Sequence, residues 1–162
     1  MAIADELLTL AEHLAIPAVA GSEQAWFRRS ISTAYYAVFH LLIQEAAQRW
    51  TGSTAARLGL ERTFKHDRMQ QVSKVVSRGT WSGWSTPQLP LPQELRIIAE
   101  SFIGLQEARH EADYNNEKSW TSIEVDEKLA DARTAFDNWG KIHGSPVADE
   151  YLLSLMIGNK RA

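Results

Sequence analysis

Cysteine is absent from the chain. That excludes disulfides, thiolate metal sites and cysteine nucleophiles, and it fits a reducing compartment, so a cytoplasmic location is expected. There is no Gly-rich phosphate loop and no GxSxG, so neither P-loop nucleotide hydrolysis nor α/β-hydrolase chemistry is expected. The five histidines, His13, His40, His66, His110 and His143, form no HExxH or similar pair. Neither a metal nor another cofactor is therefore expected. No apolar run approaches the roughly 20 residues of a membrane span. The start Met1-Ala2-Ile3-Ala4-Asp5-Glu6 lacks the basic region of a signal peptide, so none is expected. Strand-like alternation and internal repeats are missing as well. So is an excess of positive charge: the formal net charge is -3 over 162 residues. With no basic field to drive non-specific nucleic-acid binding, an RNA site would have to be a local arginine cluster.

What is present is ordinary for one globular domain with a real core, at 44% hydrophobic and 23% charged residues, apart from a high count of six Trp. The pattern is helical almost throughout. Ile3, Leu7, Leu10, Ala11 and Leu14 share one face of a helix over about 3–15, ended by Pro17 and Gly21. Ser22 is a suitable N-cap for a long helix over about 23–50, broken by Gly52 and Ser53. A third helix is expected over about 58–77, with Leu60, Phe64, Val72, Val75 and Val76 inward. The stretch from Arg78 to Pro92 is a long loop, in which Trp81 and Trp84 are expected to pin the chain to the core rather than to stack on bases. Pro92 suits the first turn of a fourth helix, to about 112. Thr121 and Glu124 form a capping box opening a fifth, to about 142. Gly144-Ser145-Pro146 precedes a short helix over about 147–157, and Gly158 to Ala162 is expected to fray. The expected architecture is an all-α up-and-down bundle of about five helices, residues 1–143, followed by a short C-terminal helix and tail, 144–162.

The feature that points to function is a charge on a core stripe. In the fourth helix Leu95, Ile98, Phe102 and Leu105 recur at +3 and +4, and the next step lands on Arg109. Arginine cannot shed its charge, so it must be paired or face a groove open to water. Asp113, one turn on, is the candidate partner, either in a plain intrahelical pair or as the group that orients Arg109 toward an anion. His110 and Tyr114 lie beside it, His110 about 100° around the helix from Arg109. In the second helix Ser30, Ala34, Ala37 and Leu41 make a small-residue seam that admits a close neighbour, expected to be the fourth helix. Arg28, Tyr35 and His40 are less easily explained as filler. A buried Tyr35 hydroxyl needs a partner, and an Arg or Asp of the fourth helix is the expected one.

These residues resemble a known family. The run Ser32-Thr33-Ala34-Tyr35-Tyr36-Ala37-Val38-Phe39-His40, with Arg28 before it, resembles the AYYAxFH helix of the HEPN superfamily. Arg109 through Tyr114 looks like the RxxADY stretch of one HEPN branch. His66 falls where that branch often carries a His opening its third helix. The resemblance implies an α-helical bundle that commonly forms a homodimer. Many HEPN proteins are metal-independent ribonucleases of toxin–antitoxin, defence or RNA-processing systems. An Arg binds the scissile phosphate there and a closing His moves the proton. Here Arg109 matches the Arg and His110 the polar residue after it, but Tyr114 stands in place of the closing His. Tyrosine, with an unperturbed pKa near ~10, is a poor general base at neutral pH.

Three readings follow. The first is a HEPN-like binding or regulatory protein whose Arg-lined cleft takes RNA, nucleotide or a partner protein, a nucleotidyltransferase-like antitoxin among the candidates. Its binding residues would be Arg28, Tyr35, Tyr36, His40, His66 and Asp113. The second is an active endoribonuclease with Arg109, His110 and Tyr114 as its catalytic set, Arg109 as phosphate ligand and His110, His66 or His40 substituting for the lost His. The third is a scaffold homodimer without ligand. The apolar Leu152, Leu153, Leu155 and Met156 of the terminal helix offer one surface for a homodimer, the alternative being that this helix packs on its own subunit.

Overall fold

In the computed structural model, residues 2–84 and 90–159 are described. Among them the chain forms seven α-helices and no strand: α1 Ile3–Leu14, α2 Glu23–Trp50, α3 Thr54–Glu61, α4 His66–Ser77, α5 Gln93–Tyr114, α6 Ser122–Ile142 and α7 Pro146–Ile157. No helix is long and apolar enough to cross a membrane.

The long α2 is the axis of the bundle. α1, α5 and α6 pack around it, with α3 and α7 toward its C-terminal end. Ile31, Tyr35, Val38 and Leu42 are fully buried, because neighbours cover more than one face of the helix. The α5 stripe of Leu95, Ile98, Phe102 and Leu105 is also fully buried, and α5 packs on α2 as the sequence pattern requires. The small seam of α2 is used differently from expectation at Ser30. Its hydroxyl donates to the Ala11 carbonyl at 2.7 Å, so it is α1, not α5, that comes close there.

The third expected helix is two helices. α3 starts at Thr54, with the Ser53 hydroxyl accepting from the Ala56 amide, and none of its residues is buried. The Thr63 hydroxyl then donates to the Leu60 carbonyl at 2.7 Å, competing with the helical ladder. The chain turns to bury Phe64, and Lys65 is extended before α4 begins at His66. Apolar periodicity alone runs through this break, because Leu60 and Phe64 are one turn apart in register. The Thr121–Glu124 capping box is formed in both directions at the start of α6.

The terminal α7 lies against α4 and α2. Tyr151, Leu152 and Leu155 are buried in the common core, and the Tyr151 and Ser73 hydroxyls share a buried hydrogen bond of 2.9 Å. The apolar face of α7 is thus largely covered by its own subunit, which removes it as a ground for a dimer. Trp81 is buried against the edge of Tyr151, and its indole N–H donates to Asn159 Oδ1 at 3.1 Å. The start of the expected fraying tail is therefore docked at Asn159. The remainder of that tail, 160–162, and loop residues 85–89 lie outside the described residues.

Candidate functional site: an arginine-centred cleft

The last turn of α5 carries Arg109, and α2 holds that turn in place. The Arg28 guanidinium donates to the carbonyls of Ala112 at 2.8 Å and Lys118 at 2.7 Å. It thereby satisfies a carbonyl left without a helical partner at the end of α5 and ties down the turn that follows. Beside it, the Gln24 carboxamide donates to the Trp120 carbonyl and accepts from the Trp120 amide, both at 2.8 Å. Arg28, expected to contact ligand, is instead a staple spent on backbone carbonyls.

Arg109 is paired and still reachable. Its Nε lies 3.0 Å from Asp113 Oδ2, and the two side chains keep 19% and 23% of their surface exposed. The Nε–H makes no hydrogen bond, so this contact is ionic rather than a directed bond. Nη2 donates to the Tyr36 hydroxyl at 3.0 Å. The guanidinium carbon sits 5.5 Å from the Tyr36 ring centre and 5.8 Å from those of Tyr35 and Tyr114, within cation–π range. Burial opposes the charge, but Tyr36, Asp113 and Tyr114 outweigh it and raise the guanidinium pKa above its ordinary value. Asp113 in turn accepts from the Ser32 hydroxyl at 3.3 Å. No hydrogen bond is made by Nη1 of Arg109 among the described residues, and the second N–H of Nη2 is unused too.

Tyr35 does not use the partner expected for it. Its fully buried hydroxyl meets His66 Nδ1 at 2.5 Å, while its neighbour Tyr36 takes the arginine. One helical step separates the two rings, so one hydroxyl reaches His66 of α4 and the other Arg109 of α5. Burial is the main cause that drives the Tyr35 pKa far up, so the phenol stays protonated. The His66 ring stacks on Phe39, with centres 4.4 Å apart and planes 17° from parallel. Burial, then the nearby Arg109, depress its pKa, with Asp67 opposing and His40 adding a little. His40 is depressed by burial too, against Glu61, but it packs on Tyr36 and Phe39 and is not part of the cleft wall.

A cleft of about 690 Å³ opens between α4 and α5. Arg109, His110 and His66 line it, so the two neighbours on α5 do share one space despite their angular offset. Tyr114 is 65% exposed and lies beside His110, with ring centres 5.1 Å apart and planes tilted by 53°. The remaining wall includes Asp67 and Gln70 of α4 and Gln106, Glu107 and Glu111 of α5. Sequence reasoning missed Ser32, Asp67 and Gln106. The signal for Gln106 was a polar residue next to Leu105 on the inner side of α5. Among the described residues no three His, Asp or Glu side chains cluster as metal ligands.

Two measurements follow from this geometry. Arg109→Ala is expected to cost about 1–2 kcal/mol of unfolding free energy by urea titration. That lies between the 0–1 kcal/mol of an exposed pair and the 3–5 kcal/mol of breaking a buried one. The half-open pair lets water reach Asp113 when its partner is gone. The second concerns pH. A base whose folded pKa is depressed binds fewer protons when folded than when unfolded, so stability rises with pH. For His66 and His40 that contribution is complete above the unfolded value near ~6.5 and is lost as the pH falls through the folded values. Stability measured at pH 7.5 and again about two units lower should differ less in His66→Gln than in the parent. An equal difference in the two proteins would remove His66 from the titration.

Compared with models of protein families, with curated proteins and with solved structures, the chain matches none, so the cleft's own geometry carries the functional reading.

Proposed function

We propose that this chain is a HEPN-like binding protein that works through the Arg109 cleft, and not a nuclease. The observation that carries the reading is the state of Arg109. It is held by Asp113, Tyr36 and three aromatic rings, with N–H groups of both terminal nitrogens left to meet a ligand. Such fixing serves recognition, because the rotamer is already ordered before binding. The resemblance to HEPN proteins rests on the residues around Tyr35 and Arg109, and the all-helical bundle is compatible with it. Tyr114, at the closing position of the family motif, is exposed, and its ring lies tilted beside His110. The homodimer of this reading rests on the resemblance alone; a monomer by light scattering at high concentration would count against it.

A specific observation favours the nuclease as the second reading. His66 and His110 both line the cleft with Arg109, and His66, depressed in pKa, is largely neutral at pH 7, as a general base must be. Pure protein incubated with single-stranded and structured RNA in EDTA separates the two. No cleavage is expected. Metal-independent cleavage that disappears in Arg109→Ala would overturn the binding reading in favour of the enzyme.

A further inference from the structure

We infer that Tyr35 is a positioning residue for the cleft: its hydroxyl occupies the one free lone pair of His66, so that His66 presents the cleft with a fixed Nε2–H donor and not with a base. The assignment goes beyond the binding reading and holds whether the cleft binds or cleaves. A phenol has one hydrogen to give, and a neutral imidazole has one N–H and one acceptor nitrogen. The Tyr35 hydroxyl lies 2.5 Å from His66 Nδ1, Tyr35 is fully buried, and its hydroxyl has no other hydrogen-bond partner among the described residues. Two arrangements fit that contact. If Nδ1–H donated to the phenol oxygen, the phenol hydrogen would be left in the core with neither water nor acceptor, at the desolvation cost of an unmet buried donor. If the phenol donates to Nδ1, both groups are satisfied. Tyr35 has no third course, because burial keeps the phenol protonated. The phenol is therefore the donor.

Which imidazole nitrogen carries the proton is set by the bond that the other one makes. With Nδ1 accepting, the ring proton sits on Nε2. Nε2 makes no hydrogen bond among the described residues, and it is not one of the sealed polar atoms that lack a partner, so it is open to solvent. His66 lines the cleft between α4 and α5, and that is the space its free edge meets. A half-turn of the ring would set a carbon against the phenol, and the Phe39 ring stacked at 4.4 Å holds the plane. Protonation is resisted by the same contact, since an imidazolium has hydrogen on both nitrogens and would strand the Tyr35 hydrogen. Burial, Arg109 of α5 and His40 of α2 oppose that charge too, and only Asp67 of α4 favours it. Neutrality would suit a general base, but the lone pair that a base needs is already taken. His66 is then a donor beside the free N–H groups of Arg109, and the ligand group that meets it must be an acceptor. Of the two imidazoles in the wall, only His110 is left free to take a proton.

The test is long-range proton–nitrogen NMR of the full chain, isotope-labelled in its histidine rings and titrated through the ordinary histidine range around pH ~6.5. In the parent, His66 should show one tautomer, with the proton on Nε2 and Nδ1 at the shift of a hydrogen-bonded acceptor. Tyr35→Phe keeps the ring and removes the donor. Nδ1 should then move to the shift of an unbonded nitrogen, and His66 should titrate at a higher pH than in the parent. A purely packing role for Tyr35 would move neither signal. A parent ring with its proton on Nδ1 would overturn the inference, and so would a titration unmoved by Tyr35→Phe. Should that variant not fold, the parent tautomer decides. His66→Gln carries an acceptor and a donor on one amide, so it can replace a positioned donor but not a base. Metal-independent RNA cleavage retained in a folded His66→Gln would sink the binding reading and bear out this inference. Cleavage abolished there would overturn both.

Discussion

Phe102→Ala is expected to lower the unfolding free energy by about 3–5 kcal/mol, seen as a lower urea midpoint with an unchanged slope. Phe102 is fully buried at the α2–α5 contact, its ring 5.6 Å from that of Tyr35. Removing it takes away the transfer free energy of a large apolar side chain and leaves a cavity that two long, mutually braced helices cannot close. The consequence reaches the site. Tyr35 loses one of the rings that hold it, and the Tyr35 hydroxyl is the group that engages His66 Nδ1. The His66 ring signals should therefore shift in Phe102→Ala even under conditions where the variant is folded. A cost below ~1 kcal/mol would mean that the α2–α5 packing described above is wrong.

Arg28→Ala is expected to cost about 2–3 kcal/mol, although Arg28 has no place in the cleft wall. It supplies two charged donors to the carbonyls of Ala112 and Lys118, and hydrogen bonds to charged groups contribute about 1.5–3 kcal/mol each before partial exposure is allowed for. Water can take over part of that role, which keeps the sum at the lower end. Arg28→Lys should rescue little, because one ammonium on a flexible stem does not reproduce the fork that spans two carbonyls. Loss of the staple also frees the end of α5, so that binding in the cleft should weaken in Arg28→Ala. Full rescue by Lys would show that charge, and not the two-pronged geometry, is what the position supplies.

The two variants differ in how visible their positions are in the sequence. Phe102 announces itself, because an apolar residue at +4 from Ile98 and -3 from Leu105 has no place but the core. Arg28 does not. Its neighbours in the motif invite a ligand-binding role, and only the fold reveals that its partners are backbone carbonyls, which carry no sequence signature. The same contrast runs through the tyrosine pair. Both belong to the recognised run, but adjacent positions on a helix point about 100° apart, so one ring goes to His66 and the other to Arg109. Choosing which goes where needs the orientation of α2 about its own axis. The missed break between α3 and α4 has a similar cause, since Leu60 and Phe64 keep helical register across it.

The sequence by itself determined the helical class, most helix boundaries, the core face of α5, the α6 capping box, and Asp113 as the candidate partner of Arg109 one turn away. Each of these is a local property, set by periodicity of 3.6 residues or by contacts within one turn, and local properties are written in adjacent residues. Only the tertiary structure decided that His66 meets Tyr35, that Arg28 braces the end of α5, and that Gln106 is left with an unmet acceptor. Tertiary structure also brought Asp67 and His66 of α4 into one cleft with Arg109 of α5. Those facts join residues far apart in the chain, and their sign and energy depend on distances of a few ångströms and on the exclusion of water, which exist only once the helices have packed.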